Sequence, residues 1–266
     1  GYAGFVSCRA CGHVMKCPHC DVSLSEHNGN RLICHYCGYE TVKPEICPSC
    51  GSPHIGGFKA GTQQIEKVIE KEFPKARVLR MDFDTTRTKD SYEKILASFA
   101  KHEADILVGT QMIVKGHDFP NVTLVGVIAA DLSLNMDDYH CGERTFQLLT
   151  QAVGRSGRGN RPGQAVIQTY QPEHYSIQAA AIQDYEKFYK EEMGYRMLLD
   201  YPPAAHMMTV FGACQDEEIL KNAMYYIEVF IRRVSPKEEL HMIGPAVASV
   251  GKVKDVYRQV IHLKHR

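Results

Sequence analysis

Tryptophan, a net charge and long apolar runs are all missing from this 266-residue sequence. Its 31 lysines and arginines are balanced by 31 aspartates and glutamates, so overall basicity gives no argument for nucleic-acid binding. No stretch reaches the roughly 18 apolar residues of a membrane helix, and no signal peptide opens the sequence. The absence of tryptophan excludes nothing. What remains is an ordinary globular composition, long enough for two domains and a small further module.

Cysteine is the abundant exception, with ten in total. Eight of them form four C-x-x-C pairs between residues 8 and 50, at Cys8 and Cys11, Cys17 and Cys20, Cys34 and Cys37, and Cys47 and Cys50. Each pair makes a tight knuckle with two sulfurs facing one ion, and glycine follows three of the four pairs. Two knuckles make one tetrahedral zinc site. The spacing predicts two structural Zn²⁺ ions and leaves a secreted disulfide scaffold as the alternative.

The knuckles can combine in three ways. Joining the first to the second leaves a strained five-residue loop, so we favour nesting, with an inner ion on the two middle pairs and an outer ion on the first and last. Four thiolates close the coordination shell, which makes such a site structural rather than catalytic. His13, His19 and His35 lie beside the knuckles and are alternative ligands, although solvated imidazoles are favoured. Cys141 and Cys214 are interpreted as simple buried or partly buried thiols.

Strands alternate with helices in the next part of the chain. "ARVLRMD", "ADILVGT", "NVTLVGVIAAD" and "GQAVIQTY" are strand-like, while the helices start near Thr62, which we expect to be an N-cap, near residue 88 and near Glu143. The pattern predicts an α/β fold with a mostly parallel sheet, whose ligands collect at the carboxyl ends of the strands. Asp131, at such an end, has the position of a Walker-B acid but is equally placed to cap the next turn. "GGFKAGT" lacks the Gly-Lys-Ser/Thr ending of a phosphate loop.

Two segments carry a family resemblance. "QAVGRSGRG" (151–159) resembles motif VI, Q-x-x-G-R-x-G-R, of superfamily 2 helicases, and "DILVGTQMIVKGHDFP" resembles their motif V region. The four cysteine pairs upstream make the chain similar to the C-terminal portion of the PriA family of replication-restart helicases. The resemblance spans nearly the whole chain and is specific over the first 170 residues. It implies a RecA-like second helicase lobe that carries a two-zinc ribbon module and is followed by a small α+β domain.

The resemblance also implies roles for individual residues. Motif VI arginines face the γ-phosphate, so Arg158 is expected to be an arginine finger and Arg155 a second phosphate or inter-lobe contact. Gln151 lies one helical turn before Arg155, and both would face the ATP cleft together with Gly154 and Asp118. Three residues are expected to lie toward the DNA backbone: Thr110, Gln111 and Lys115. For Lys115, a solvated surface lysine is an equal alternative.

The remainder of the chain reads as a small α+β unit after the boundary signal "YPPAAH". "DVYRQVIHLKH" alternates as a strand, and the family counterpart of this region contacts DNA. Tyr257, Arg258 and Lys264, with His262 and Arg266, would give that strand phosphate contacts and one stacking ring. The alternative is a merely charged edge strand, since charges also protect edges. The expected domains are 1–56 for zinc, 57–195 for helicase lobe 2 and 196–266 for a truncated DNA-binding domain.

The sequence fits two classes of function. The first is the C-terminal portion of an ATP-dependent 3′–5′ DNA helicase, a hydrolase that recognises stalled or abandoned forks and initiates primosome assembly. The second is a non-enzymatic zinc-ribbon adaptor for nucleic acid or protein. The sequence has no G-x-x-x-x-G-K-[ST] loop and no D-E-x-H, so we expect this chain alone to be inactive, with ATP and Mg²⁺ bound only by the full-length protein. Expected partners are branched and single-stranded DNA, single-stranded-DNA-binding protein and primosome loading proteins, for a monomer in the cytoplasm, associated with the nucleoid and with no membrane.

Overall fold

The chain folds into two compact units. The structure, a computed structural model, describes residues 6–27, 30–57, 61–83, 85–86, 89–114, 119–134, 138–157, 162–235 and 240–266. One unit is formed by Thr62–Ala204, and the other by Tyr2–Gly61 together with Ala205–Arg266. The second unit therefore joins the first and last segments of the chain. Within the described residues, no helix combines the length and the apolarity needed to cross a bilayer.

Short antiparallel strands form the cysteine-rich segment. They are β1 (Val6–Cys8), β2 (Ser25–His27), β3 (Arg31–Ile33), β4 (Glu40–Val42) and β5 (Ile55–Gly57). β2, β3 and β4 form one meander, and β1 pairs with β5. Leu24, Leu32 and Val6 are almost fully buried here. Among the described residues 6–27 and 30–57, these are the only fully buried large apolar side chains other than cysteine, which agrees with a fold that depends on metal.

The unit formed by Thr62–Ala204 alternates helices and strands as predicted. Its elements are α1 (Thr62–Glu72), β6 (Val78–Met81), α2 (Lys89–Ala100), β7 (Ile106–Gly109), β8 (Leu124–Val127), α3 (Asp131–Leu134), α4 (Cys141–Val153), β9 (Gln164–Ile167), α5 (Tyr175–Ala181) and α6 (Tyr185–Leu199). β6 pairs in parallel with β7, and β8 in parallel with β9. Parallel pairs with helical crossovers confirm the α/β class.

One face of α4 forms the centre of the core of this unit. Phe146, Leu149 and Ala152 recur every three residues and are all buried, as expected for an amphipathic helix. Phe146 stacks on Phe188 of α6 with ring centroids 4.2 Å apart.

At the start of α1, the predicted cap at Thr62 is wrong. Thr62 is already helical, and its hydroxyl donates to Asp82 Oδ2 at 2.5 Å.

The C-terminal part of the second unit is a three-stranded antiparallel sheet covered by one helix. It comprises β10 (His206–Cys214), α7 (Glu217–Val234), β11 (Leu240–Val253) and β12 (Val256–His265). Asp216 caps α7, accepting from the N–H groups of Glu218 and Ile219. Gly212 lies under α7, where a Cβ would approach Met224 Sδ to 2.5 Å, so a larger residue would have to displace the Met224 side chain.

The edge-strand alternative for "DVYRQVIHLKH" is wrong. The strand order is β10–β12–β11, which makes β12 the central strand. The sequence analysis does not predict β11, because two register shifts, after Ile243 and after Val247, interrupt its alternation. Without β11, β12 has a neighbour on one side only.

Candidate metal centres and helicase-lobe site

The eight cysteines of the four pairs form two groups of four. Cys8, Cys11, Cys47 and Cys50 make one group, Cys17, Cys20, Cys34 and Cys37 the other, and within each group the sulfurs lie within 4.8 Å of one another. This is the nested pairing that the spacing favours. The Sγ atoms of Cys8 and Cys50 are 3.7 Å apart, and those of Cys17 and Cys37 are 3.6 Å apart. Such distances exclude disulfide bonds, which are about 2.05 Å long.

The sulfur separations fit zinc. Four sulfurs placed tetrahedrally at about 2.3 Å from an ion are about 3.8 Å from one another, close to the observed separations. The described metal-ligating groups contain cysteine only, and the His19 imidazole contacts Asp255 Oδ2 at 2.7 Å instead. The two groups therefore fit two structural Zn²⁺ ions. Each ion would organise a segment that has little core of its own.

Tight backbone turns orient the cysteine sulfurs of each pair toward the metal position. Gly12, Gly38 and Gly51 follow the second cysteine of three pairs with φ of 75°, 80° and 70°. Each glycine N–H donates to the carbonyl of the first cysteine at 2.9 Å, which closes the turn. Backbone N–H donation, first from Cys11, lowers the pKa of the Cys8 thiol to about 6, whereas burial raises that of Cys17 to about 12. In the inner group burial of Cys34 is outweighed by the N–H groups of Cys37 and Tyr36, which lower its pKa to about 7. In the outer group the Ser52 N–H lowers the pKa of Cys50, but the neighbouring sulfurs of Cys11 and Cys8 outweigh it and raise that pKa to about 12, so neither group as a whole is nearer its thiolate form.

The motif VI segment is held at the end of α4. Gln151 is exposed and lies one turn before the half-buried Arg155. Gly154 ends the helix, with its N–H donating to Thr150 O at 2.9 Å. Gly157 has φ of 74°, and its N–H donates to Val122 O at 3.0 Å, which ties the loop to the segment before β8. The structure thus brings Gln151, Gly154 and Arg155 together, while Arg158 lies outside the described residues.

The motif V segment follows β7. Thr110 is half-buried and Gln111 is exposed at the start of a 3₁₀ turn, Gln111–Val114. This turn contacts α4, so the two helicase-like segments are neighbours although they are far apart in sequence. Lys115 and Asp118 lie outside the described residues.

Asp131 serves a structural purpose. Its carboxylate is buried, accepts from the Thr169 hydroxyl at 2.6 Å and accepts from the Tyr170 N–H at 3.0 Å. The Thr169 hydroxyl, and after it the backbone donors, lower the pKa of Asp131. The carboxylate therefore connects the segments that follow β8 and β9, and the Walker-B interpretation is not needed.

A buried ion network that the sequence analysis missed positions the start of α4. Arg196 on α6 donates to Glu143 on α4 at 2.7 Å, to Glu192 at 2.8 Å and to the Pro202 carbonyl at 2.7 Å. The Tyr175 hydroxyl donates to Glu192 at 2.7 Å, and burial raises the pKa of Tyr175. The i, i+4 spacing of Glu192 and Arg196 is the only sequence signal for the network, and it does not reveal Glu143.

The predicted DNA-contacting residues of β12 differ in exposure. Arg258 is half-buried, with its guanidinium 5.8 Å from the centre of the Phe211 ring, which is 55% exposed. Tyr257 packs on the core under α7 and lies 5.7 Å from Lys252 Nζ. Lys264 is only 5% exposed, so its side chain offers a phosphate no surface in this structure. Of these three, Arg258 is the best placed for an external contact.

Comparison with known proteins agrees with the geometry. The domain described as the PriA DNA helicase Cys-rich region matches residues 17–41, and the helicase conserved C-terminal domain matches residues 56–160. The helicase match favours a motor component over the zinc-ribbon adaptor.

The chain is 47% identical over its whole length to the replication restart protein PriA of Bacillus subtilis. It is 43% identical, again over its whole length, to that of Synechocystis, and 37% identical over 99% of its length to that of Thermotoga maritima. These matches cover 33%, 32% and 35% of the respective relatives, so the chain spans about a third of their length. With two metal groups in the expected nesting and a helicase C-terminal domain, the chain is similar over its whole length to a segment of the PriA replication restart proteins.

Proposed function

We propose that this chain is part of an ATP-dependent 3′–5′ DNA helicase that recognises stalled or abandoned replication forks and initiates primosome assembly. The observation that carries the proposal is the presence in one chain of a helicase C-terminal domain, residues 56–160, and a PriA Cys-rich region, residues 17–41. The relatives that match the chain are named for replication restart, which supports the same role.

The segment at the C-terminal end of α4 is the part of this chain that we propose takes part in ATP hydrolysis. ATP with Mg²⁺, bound in the full-length protein, supplies the phosphoryl group that is transferred to water. Arg158 acts as the arginine finger and Arg155 as a second phosphate or inter-lobe contact, with Gln151, Gly154 and Asp118 at the cleft. The hydrogen bond of Gly157 to Val122 supports the role of Arg155, because it holds the segment that carries this residue, and a guanidinium held in place loses little entropy on meeting an anion.

DNA contacts are proposed in two places. Thr110, Gln111 and Lys115 would contact the backbone of the translocated strand, and the β12 surface around Arg258 would contact branched or single-stranded DNA. We assign the zinc module to residues 1–56, the helicase lobe to residues 57–195 and the DNA-binding domain to residues 196–266. The whole protein would be a cytoplasmic, nucleoid-associated monomer that meets single-stranded-DNA-binding protein and primosome loading proteins at the fork.

The test uses the full-length protein and a forked duplex. Arg158→Ala is expected to lower DNA-stimulated ATP turnover by ~10³ or more and to leave ATP binding largely intact, because an arginine finger acts on the transition state. Arg144→Ala is the matched control, since Arg144 lies on the same helix but is 51% exposed and paired with Asp138. Wild-type turnover in the Arg158 variant, or no ATP-dependent unwinding by the unmodified protein, would refute the proposal.

A further inference from the structure

One of the four cysteine knuckles is incomplete. After Cys11, Cys37 and Cys50 a glycine turns the chain back and its N–H closes the turn. After Cys20 the residue is Asp21, and its N–H donates instead to Lys252 O in β11, at 2.8 Å. The knuckle of Cys17 and Cys20 thus obtains from the C-terminal sheet a hydrogen bond that the other three make locally.

The tip of the β11–β12 hairpin continues this contact. Lys254 N–H donates to Cys20 Sγ at 3.3 Å, and Asp255 N–H donates to His19 O at 2.9 Å. Lys252 Nζ donates to Pro18 O at 3.1 Å. Val253, only 7% exposed, packs in the same apolar cluster as Cys17, Cys20 and Cys34.

The backbone of the tip is strained in the way these contacts require. Lys254 and Asp255 have φ of 52° and 60°, a conformation that two-residue hairpin turns normally assign to Asn-Gly. Left-handed backbone is unfavourable at residues other than glycine and persists where the surroundings over-determine it. Here it directs two successive N–H groups at the knuckle, one to a ligand sulfur and one to a carbonyl.

We propose that the hairpin tip, Lys252–Asp255, is a structural part of the inner zinc site and couples the occupancy of that site to the docking of the C-terminal sheet. An N–H group donating to a thiolate stabilises the charged form that binds the metal. By reciprocity, the bound ion stabilises the docked hairpin as much as the hairpin stabilises the ion. The outer site, closed by Gly12 and Gly51, is not part of this coupling.

Zinc release from the whole chain tests whether the hairpin stabilises the bound ion. Lys252→Met removes the hydrogen bond to Pro18 O, and Asp255→Asn removes the negative charge that faces His19 while asparagine tolerates the left-handed backbone. With a chromogenic chelator in excess, one of two zinc ions is expected to leave about three- to tenfold faster, the effect of one or two lost hydrogen bonds, while the other keeps its rate. Lys221→Met is the control, because Lys221 is an exposed, ion-paired lysine of α7. Unchanged release of both ions, or equal acceleration of both, overturns the proposal.

A second pair of variants probes the apolar contact. Val253→Ala should accelerate release of the same single ion, whereas Val247→Ala on the same strand should not, because Val247 is 67% exposed. Equal release rates in the two variants contradict the proposal.

Hydrogen exchange tests the reverse direction. Cys37→Ser weakens the inner group and Cys50→Ser the outer group, each by one of four ligands. Amides 250–258 should lose protection by about tenfold or more in Cys37→Ser and keep it in Cys50→Ser. Equal protection of the hairpin in both variants would mean that the inner ion does not hold it. Far-UV circular dichroism confirms that each variant retains the folded α/β unit.

Discussion

Replacing Arg196 with methionine tests whether the buried ion network stabilises the unit formed by Thr62–Ala204. The side chains of Arg196 and Glu192 are only 9% and 8% exposed, and the guanidinium also bonds Glu143 and the Pro202 carbonyl. Methionine keeps the apolar stem but leaves the Glu192 carboxylate buried with the Tyr175 hydroxyl as its remaining hydrogen-bond donor in the network. Removing one partner of a buried ion pair costs about 3–5 kcal/mol.

Urea unfolding followed by far-UV circular dichroism measures this loss. At a slope of about 2 kcal/mol per molar urea, a loss of about 4 kcal/mol lowers the midpoint by about 2 M. Since the chain has two compact units, hydrogen exchange of peptides from α4 and α6 assigns the shifted transition to the unit that contains Arg196.

Arg144→Met is the control on α4. Its ion pair with Asp138 has a 51% exposed arginine side chain, so the expected loss is about 0–1 kcal/mol. Adding Glu192→Gln to Arg196→Met should recover part of the stability, because a buried neutral amide costs less than a buried carboxylate. Equal midpoints for Arg196→Met and Arg144→Met would refute the account of the network.

Three further predictions follow from the sites. Metal analysis of the chain should give two Zn²⁺ per molecule, and X-ray absorption should give four sulfurs at about 2.3 Å from each ion; one equivalent, or oxygen ligands, contradicts the two closed groups. The chain alone should show no DNA-stimulated ATP hydrolysis, because its sequence lacks a phosphate loop, and hydrolysis at normal helicase rates would exclude the two-lobe proposal. In the full-length protein, Arg258→Ala should reduce the salt slope of DNA binding by about 0.7–0.9, whereas Lys264→Ala should leave it unchanged, because that side chain is 5% exposed.

Local features were predictable from the sequence. The C-x-x-C pairs and the helix that starts near Glu143 depend on residues within a few positions of one another. The nested grouping was favoured for a local reason too, since a five-residue loop between the first two knuckles would be strained.

Long-range features were not predictable. The sequence shows that Asp21 stands where the other knuckles have a turn-closing glycine. It does not reveal that the Asp21 N–H donates to Lys252 O. β11 was not predicted because its register shifts break the period of two that identifies strands, and without β11 an edge position for β12 stayed open as an alternative. The Arg196 network joins α4 to α6 across a separation that no spacing rule covers.

The hydrogen bond between Asp21 and Lys252 also determines when the inner metal group can be completed during synthesis of the chain. The unit formed by Tyr2–Gly61 and Ala205–Arg266 is interrupted by the whole of Thr62–Ala204, which has its own core. On a ribosome adding about 5–20 residues per second, the Cys17 knuckle waits roughly 10–50 s for the segment that completes it. During that interval its thiols are synthesised but not fully enclosed, so a nascent chain is exposed to oxidation or to a wrong metal for longer at the inner site than at the outer one.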